Sequence, residues 1–140
     1  MRFLLDTDVV AELRKPAGRR TEPFNAWAGE LSPSDTSLSV ITVLELRAGI
    51  EAERRRDPEQ ARALDTWLEK SVLPSYLGRI HDVDQAVADV AARLHVPDRR
   101  PAHDVLIAAT AHAHGLTLVT RNVADFQPLG VALVNPWDER

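Results

Sequence analysis

Four acidic residues, Asp6, Glu45, Asp104 and Asp125, stand in positions that solubility alone does not explain. Asp6 follows the apolar run Phe3-Leu4-Leu5 and precedes Thr7, Asp8, Val9, Val10 and Leu13, a pattern that reads as buried strand, loop, then helix. In open parallel α/β sheets, ligands bind beyond the carboxyl ends of the strands, and Asp6 falls at such an end. A plain helix cap by Asp6 or Thr7 is the competing explanation. Glu45 lies between Leu44 and Leu46, and helical spacing puts it on the side of Ile41 and Ala48. A carboxylate there is costly unless it is paired, protonated or bound to a cation; the alternative is a rotated helix that leaves Glu45 at its solvent edge. Asp104 opens an alanine-rich helix, where an acid complements the dipole, yet it shares a face with Ile107, Ala108 and Ala111. Asp125 follows a strand end that also carries Thr120 and Asn122; its competing explanation is a loop Asx turn.

These acids come from two strand ends and two helix starts, all on one edge of a parallel α/β layer. Four carboxylates held together repel, and a divalent cation is one way to hold them. With no cysteine in the chain, an all-oxygen donor set favours a hard ion, Mg²⁺ or Mn²⁺. Such a site suits in-line displacement at phosphorus, where the metal polarises phosphate, supplies the attacking hydroxide and stabilises the leaving oxygen.

The elements that must position these acids can be followed along the chain. Helices are expected over 9–14 and 21–31, the latter with Phe24, Trp27 and Leu31 on one face, and a strand over 36–40. A long helix over 41–56 ends in the exposed run Arg54, Arg55, Arg56. Asp57-Pro58 starts another, with Leu64, Trp67 and Leu68 inward, that continues to about Val72 and is ended by Pro74. A short strand is expected within 78–83, carried by Ile80 and Val83. An amphipathic helix covers 84–94, a basic loop 97–101, and a helix 102–114, stopped by Gly115. Strand 116–120, loop 121–126 and strand 131–134 complete the chain. The alternation predicts an α/β fold: three α/β/α layers around a parallel sheet of four to five strands.

At 140 residues the chain is read as one domain, 1–140, with 44% hydrophobic and 27% charged residues. No apolar run approaches a membrane span, and the start carries no signal-peptide core, so a cytoplasmic location is expected. The net charge of −4 argues against holding nucleic acid by bulk electrostatics, but not against an enzyme that meets phosphate through metal and a few local arginines.

The segments Leu4-Leu5-Asp6-Thr7-Asp8-Val9-Val10, Thr42-Val43-Leu44-Glu45-Leu46-Arg47-Ala48-Gly49-Ile50, Asp104-Val105-Leu106-Ile107-Ala108-Ala109-Thr110-Ala111 and Leu118-Val119-Thr120-Arg121-Asn122-Val123-Ala124-Asp125-Phe126 together resemble the PIN-domain ribonucleases. The likeness is to the VapC and FitB-like toxins of type II toxin–antitoxin modules. It implies Mg²⁺-dependent cleavage of RNA phosphodiester bonds, with Mn²⁺ possible. Asp6, Glu45, Asp104 and Asp125 match the acidic quartet, with Asp6 and Asp104 at the metal-ligand positions and Thr7, Thr120 and Asn122 in support. Asp8 departs from the asparagine of many relatives. The resemblance also implies a homodimer, a cognate antitoxin, and operator DNA reached only through that antitoxin.

Arg99 and Arg100 are candidate RNA contacts before the Asp104 helix. Phe24, Trp27, Leu64, Trp67 and Leu68 are candidates for an antitoxin groove, with burial in the core as the alternative. His112 and His114, at i and i+2, point to different helix faces and make a poor metal pair. Two other readings compete. A haloacid-dehalogenase-like phosphatase would use Asp6 and Asp8, but needs a later lysine and an acidic loop, and Lys70 is the only lysine beyond Lys15. A non-catalytic antitoxin-binding module would use the acids only to hold an arginine.

Overall fold

Leu4 and Leu5 are both fully buried, and because successive strand residues face opposite sides, they enter two different cores. They belong to β1 (Phe3–Leu5), the central strand of a five-stranded sheet ordered β3-β2-β1-β4-β5. This computed structural model describes residues 2–138, so the ends of the expected single domain, 1, 139 and 140, lie outside the described residues. Every strand pairing is parallel, among them Phe3 with Thr36 of β2 (Thr36–Ser39) and Phe3 with Thr117 of β4 (Thr117–Val119). The edges are β3 (Ile80–His81) and β5 (Leu133–Val134). Val83 falls outside the third strand.

One helical layer is α6 (Gln85–Leu94) and α7 (Ala102–His114), which close over Leu4 and Leu118. The other holds α1 (Thr7–Arg14), α2 (Glu22–Glu30) and α4 (Pro58–Trp67), which close over Leu5, Leu38 and Val119. Helix α3 (Val40–Arg56) gives Ile41 to the first core and Leu46 and Ile50 to the second. This is the expected three-layer α/β/α arrangement.

Local chemistry accounts for the element boundaries. Helix α1 starts at Thr7, two residues earlier than the apolar pattern indicates, because the Asp6 carboxylate accepts the Thr7 N–H at 2.8 Å. Ser39 ends β2 and caps α3 by accepting the Ile41 N–H. Pro74 does not end the helix after α4. A π-helical turn (Leu68–Val72), closed by the Leu73 N–H on the Leu68 carbonyl, widens the helix first, and Pro74 then sits early in the short α5 (Leu73–Ser75). That widening removes the clash a proline ring makes with the carbonyl four residues back. The expected loop 121–126 contains a helical turn, α8 (Val123–Phe126), anchored by the buried Phe126. Gly115 closes α7 in the left-handed conformation, φ +64°, as its position indicates.

Candidate active site

The carboxyl edge of the sheet gathers the acids. Asp6 directly follows β1, and only 5% of its surface is exposed. Its Oδ1 accepts the Thr7 N–H, and its Oδ2 accepts the Thr120 hydroxyl at 2.7 Å from the end of β4. Asp6 therefore caps α1 and still stands at the sheet edge, so the two explanations raised by the sequence are not exclusive. The Asn122 N–H donates in turn to Thr120 Oγ1 at 3.0 Å. Asn122 thus supports the site through its backbone, while its exposed side chain makes no hydrogen bond among the described residues.

Glu45 arrives from α3. The Thr7 hydroxyl donates to Glu45 Oε1 at 2.6 Å, and His103 Nδ1 lies 3.3 Å from Glu45 Oε2. The helix face differs from the expected one. Ala48 and Leu44 are exposed, and Glu45 is about 30% exposed, so it stands at the solvent edge of α3 and still aims across the sheet end. The inward face is Ile41, Thr42, Leu46 and Ile50. The charged tail of α3 turns outward, and the core takes the β-branched and long apolar residues. Asp104, half-buried in the first turn of α7, has the expected face: Ile107, Ala108 and Ala111 are all buried. Asp125 is exposed on α8, not in an irregular loop, and a cavity of about 190 Å³ lies between it, Asp104, Arg100 and Leu129.

Electrostatics tie the acids into one group. Burial pushes the Asp6 carboxyl up to about 6, and the charges of Asp8 and Glu45 push the same way against the bonds from Thr120 and Thr7. Asp104 is raised as well, by burial first and then by Asp125 and Glu45, with His103 opposing. Asp8 is raised by burial, although the Arg121 N–H donates to its Oδ2 at 3.0 Å; its Oδ1 is buried without a partner. Asp8 thereby pins the loop after β4 to α1. Among the described residues, no three acid or imidazole side chains stand as a ready-made metal cage. The donor set nevertheless fits a hard divalent cation: it is all oxygen, and its carboxyls are raised by burial first and by one another second.

Several sequence candidates lie elsewhere. Phe24, Trp27 and Leu68 are core residues, although Trp27 also edges a groove of about 340 Å³ with Phe3, Leu31 and Val134. The three candidates are buried beneath the α1–α2–α4 layer, with the Phe24 ring 5.5 Å from Trp27 and 4.9 Å from Trp137. Leu64 and Trp67 are half-buried over the same core. Trp67 does line a groove of about 350 Å³, with Leu13, Leu31, Val72 and Tyr76. Arg99 is exposed, and Arg100 borders the Asp104–Asp125 cavity. His112 Nε2 lies 3.1 Å from the Leu129 carbonyl and His114 stacks on His81, so the two diverge as helical spacing requires. Lys70 is exposed on the π-helical turn and Lys15 pairs with Glu12, which leaves the phosphatase reading without its lysine. His103 was missed; its place beside Asp104 in a first helical turn was the available signal.

A parallel α/β layer with acids gathered at its carboxyl edge is the architecture of the PIN domain. The PIN domain family model matches residues 3–127, and the chain belongs to that family. It is 37% identical over 142 residues to Toxin FitB of Neisseria gonorrhoeae, covering 98% of this chain and 99% of that protein. It is 36% identical over 144 residues to VapC ribonuclease Y4jK of Sinorhizobium fredii, covering 97% and 98%. Among solved structures, FitAB bound to an IR36 DNA fragment superposes with a TM-score of 0.86 at 34% identity, covering 99% of this chain and 97% of that one.

Proposed function

We infer that this protein is the toxin of a type II toxin–antitoxin pair and a metal-dependent endoribonuclease. The observation that carries the reading is the convergence of Asp6, Glu45, Asp104 and Asp125 on one sheet edge, with Asp6 and Asp104 both raised by burial and by neighbouring acids. The relatives named as a toxin and a ribonuclease support it.

Asp6 and Asp104 would hold the cation, Mg²⁺ or Mn²⁺, with Glu45 and Asp125 completing the acidic surround. When bound, the cation supplies charge neutralisation and Lewis-acid assistance at the scissile phosphate. The chain's own residues do the positioning. Thr120 and the Thr7 N–H fix both oxygens of Asp6, and Thr7 Oγ1 and His103 hold the two oxygens of Glu45. Carboxylates held by such partners need little reorganisation when the substrate arrives.

The antitoxin seat is the groove between α1, α2 and the turns after α4, where Leu13, Leu31, Trp67 and Tyr76 offer an apolar trough for a partner segment. Operator DNA is reached through that partner, and the toxin acts as a homodimer in the cytoplasm. Among the described residues no helix is long and apolar enough to cross a membrane.

The test is cleavage of a mixed RNA pool by purified protein with Mg²⁺, Mn²⁺ or EDTA, beside Asp6→Asn. Metal-dependent cleavage lost in the variant is the expected result. A folded protein that cleaves under no condition leaves two readings, an enzyme with a very narrow substrate or a module that only binds its partner.

A further inference from the structure

Arg121 directly follows Thr120 at the end of β4, and its N–H is fixed on Asp8 Oδ2. Its guanidinium carbon lies over the ring of Trp137, 5.0 Å from the centroid, within cation–π range. Trp137 is itself held, its ring against Phe24 at 4.9 Å and its backbone N–H on Asn135 Oδ1 at 3.0 Å. The long side chain is thus laid on a fixed plate beside the acids.

Its charge works against the raised pKa of Asp8, yet among the described residues the guanidinium forms no ion pair. Arg47 pairs with Glu69, Arg54 with Glu51 and Asp65, Arg56 with Glu53, and Arg62 with Glu59. Arg20 and Arg79 donate to backbone carbonyls. Arg121 is exposed, and among the described residues no carboxylate lies within ion-pair distance of its guanidinium and no acceptor takes its N–H donors. A guanidinium held over a ring without an acceptor of its own keeps its N–H donors for phosphate oxygens. In a chain of net charge −4, a polyanion can dock beside four carboxylates only where such a local cation stands. Arg100 offers one on the α7–α8 side; Arg121 offers one on the α1–α2 side, where Trp137 joins that core.

We propose that Arg121, laid on Trp137, is a phosphate-binding residue that seats the RNA strand beside the acids on the α1–α2 side. The proposal rests on the ribonuclease reading and adds the place where the strand is gripped. Sequence inspection singled out Arg99 and Arg100, because two adjacent arginines before a helix are conspicuous and one arginine stacked on a distant tryptophan is not.

The experiment measures binding of a short fluorescein-labelled single-stranded RNA of mixed sequence, with Mg²⁺ present, in an Asp104→Asn background that keeps the RNA intact. Arg121→Ala weakens binding about tenfold and flattens the slope of log affinity against log salt by about 0.7, the contribution of one phosphate contact on a single strand. Arg121→Lys keeps the salt slope and loses part of the affinity, because it retains the charge without the fork. Arg121 is exposed, so both variants keep the parent melting temperature. Parent-like affinity and slope in Arg121→Ala overturn the proposal, as does equal loss in both variants with a lowered melting temperature, which marks a structural role. Wild-type protein that cleaves RNA while Arg121→Ala binds like its parent fails this proposal alone. Wild-type protein that neither cleaves nor binds RNA fails the ribonuclease reading and this proposal together.

Discussion

Asp6 and Thr120, 114 positions apart in sequence, are joined by a buried 2.7 Å hydrogen bond in which the threonine hydroxyl donates to Asp6 Oδ2. The bond ties the end of β1 to the end of β4 and favours the ionised form of Asp6 against its burial. Thr120→Val keeps the shape and deletes the donor. The Asp6 carboxyl then rises further above 6, so the acid limb of the cleavage pH profile moves to higher pH. Stability falls by about 1–3 kcal/mol, because the Asp6 oxygen is left buried without its partner. A pH–rate profile and a urea melt of the variant check both effects; an unmoved acid limb counts against the role given to Thr120.

The raised Asp6 carboxyl also makes stability depend on pH in the absence of metal. The folded protein keeps this proton up to about pH 6, while the unfolded chain releases it near 3.8. Between those values the native state binds more protons, so stability declines as pH rises, and below 3.8 the group has no effect. The full cost above pH 6 is about 3 kcal/mol. Asp6→Asn, which can still cap α1, removes this decline and melts higher than wild type at pH 7 in EDTA, although it is inactive. Melts across pH 4–7 in EDTA test it; a wild type and variant with parallel curves would falsify the assignment.

Added Mg²⁺ or Mn²⁺ reverses that penalty. Binding to the native state alone stabilises by RT ln(1 + [L]/Kd), about 2.7 kcal/mol at a hundredfold excess over Kd. Because protons compete for the same carboxylates, the rise in melting temperature is larger at pH 7 than at pH 5, and it shrinks in Asp104→Asn. Equal shifts at both pH values would place the bound cation away from the raised acids.

The alternation of strand and helix, the positions of Asp6 and Asp104, and the stop at Gly115 were legible because each rests on local chemistry: an apolar run, a first helical turn, a left-handed cap. The face of α3 was not. Ile41, Leu44 and Ala48 share one face by helical spacing and Val43, Leu46 and Ile50 another, and only packing decides that Ile41 enters one core, Leu46 and Ile50 the other, while Leu44 and Ala48 stay exposed. Phe24 and Trp27 were ambiguous for a related reason. An apolar helix face reads the same whether it meets the sheet or a partner, and Trp137, which meets Phe24, lies more than a hundred residues away in sequence. Residues that act through a contact distant in sequence, such as Arg121 on Trp137, left no local mark.

Glu45 is held between Thr7 and His103, and His103 is nearly half exposed. Its replacement therefore perturbs orientation more than stability. His103→Ala is expected to reduce cleavage by about 10–100-fold, the usual effect of removing a partner that orients a site ligand. Its melting temperature in EDTA stays close to wild type. His103→Asn, which can restore a donor near Glu45 Oε2, recovers part of the rate. Cleavage by His103→Ala at the wild-type rate would show that Thr7 alone orients Glu45.

Phe24 and Leu13 separate the core from the antitoxin seat. Phe24 is fully buried between Trp27 and Trp137, so Phe24→Ala costs about 3–5 kcal/mol of stability, as truncating a core aromatic does. Leu13 is half-buried at the wall of the groove that also holds Leu31, Trp67 and Tyr76. Leu13→Glu puts a charge where an apolar partner segment would lie, yet the carboxylate can reach water when the groove is empty. The free toxin therefore keeps most of its stability and its metal-dependent cleavage, while affinity for the antitoxin falls by at least about tenfold through desolvation of the new charge. Titration of antitoxin against cleavage reads the difference directly: Leu13→Glu remains active at antitoxin concentrations that silence the wild type. Silencing at the wild-type concentration would move the antitoxin seat away from this groove and leave the acid edge itself as the surface the partner covers.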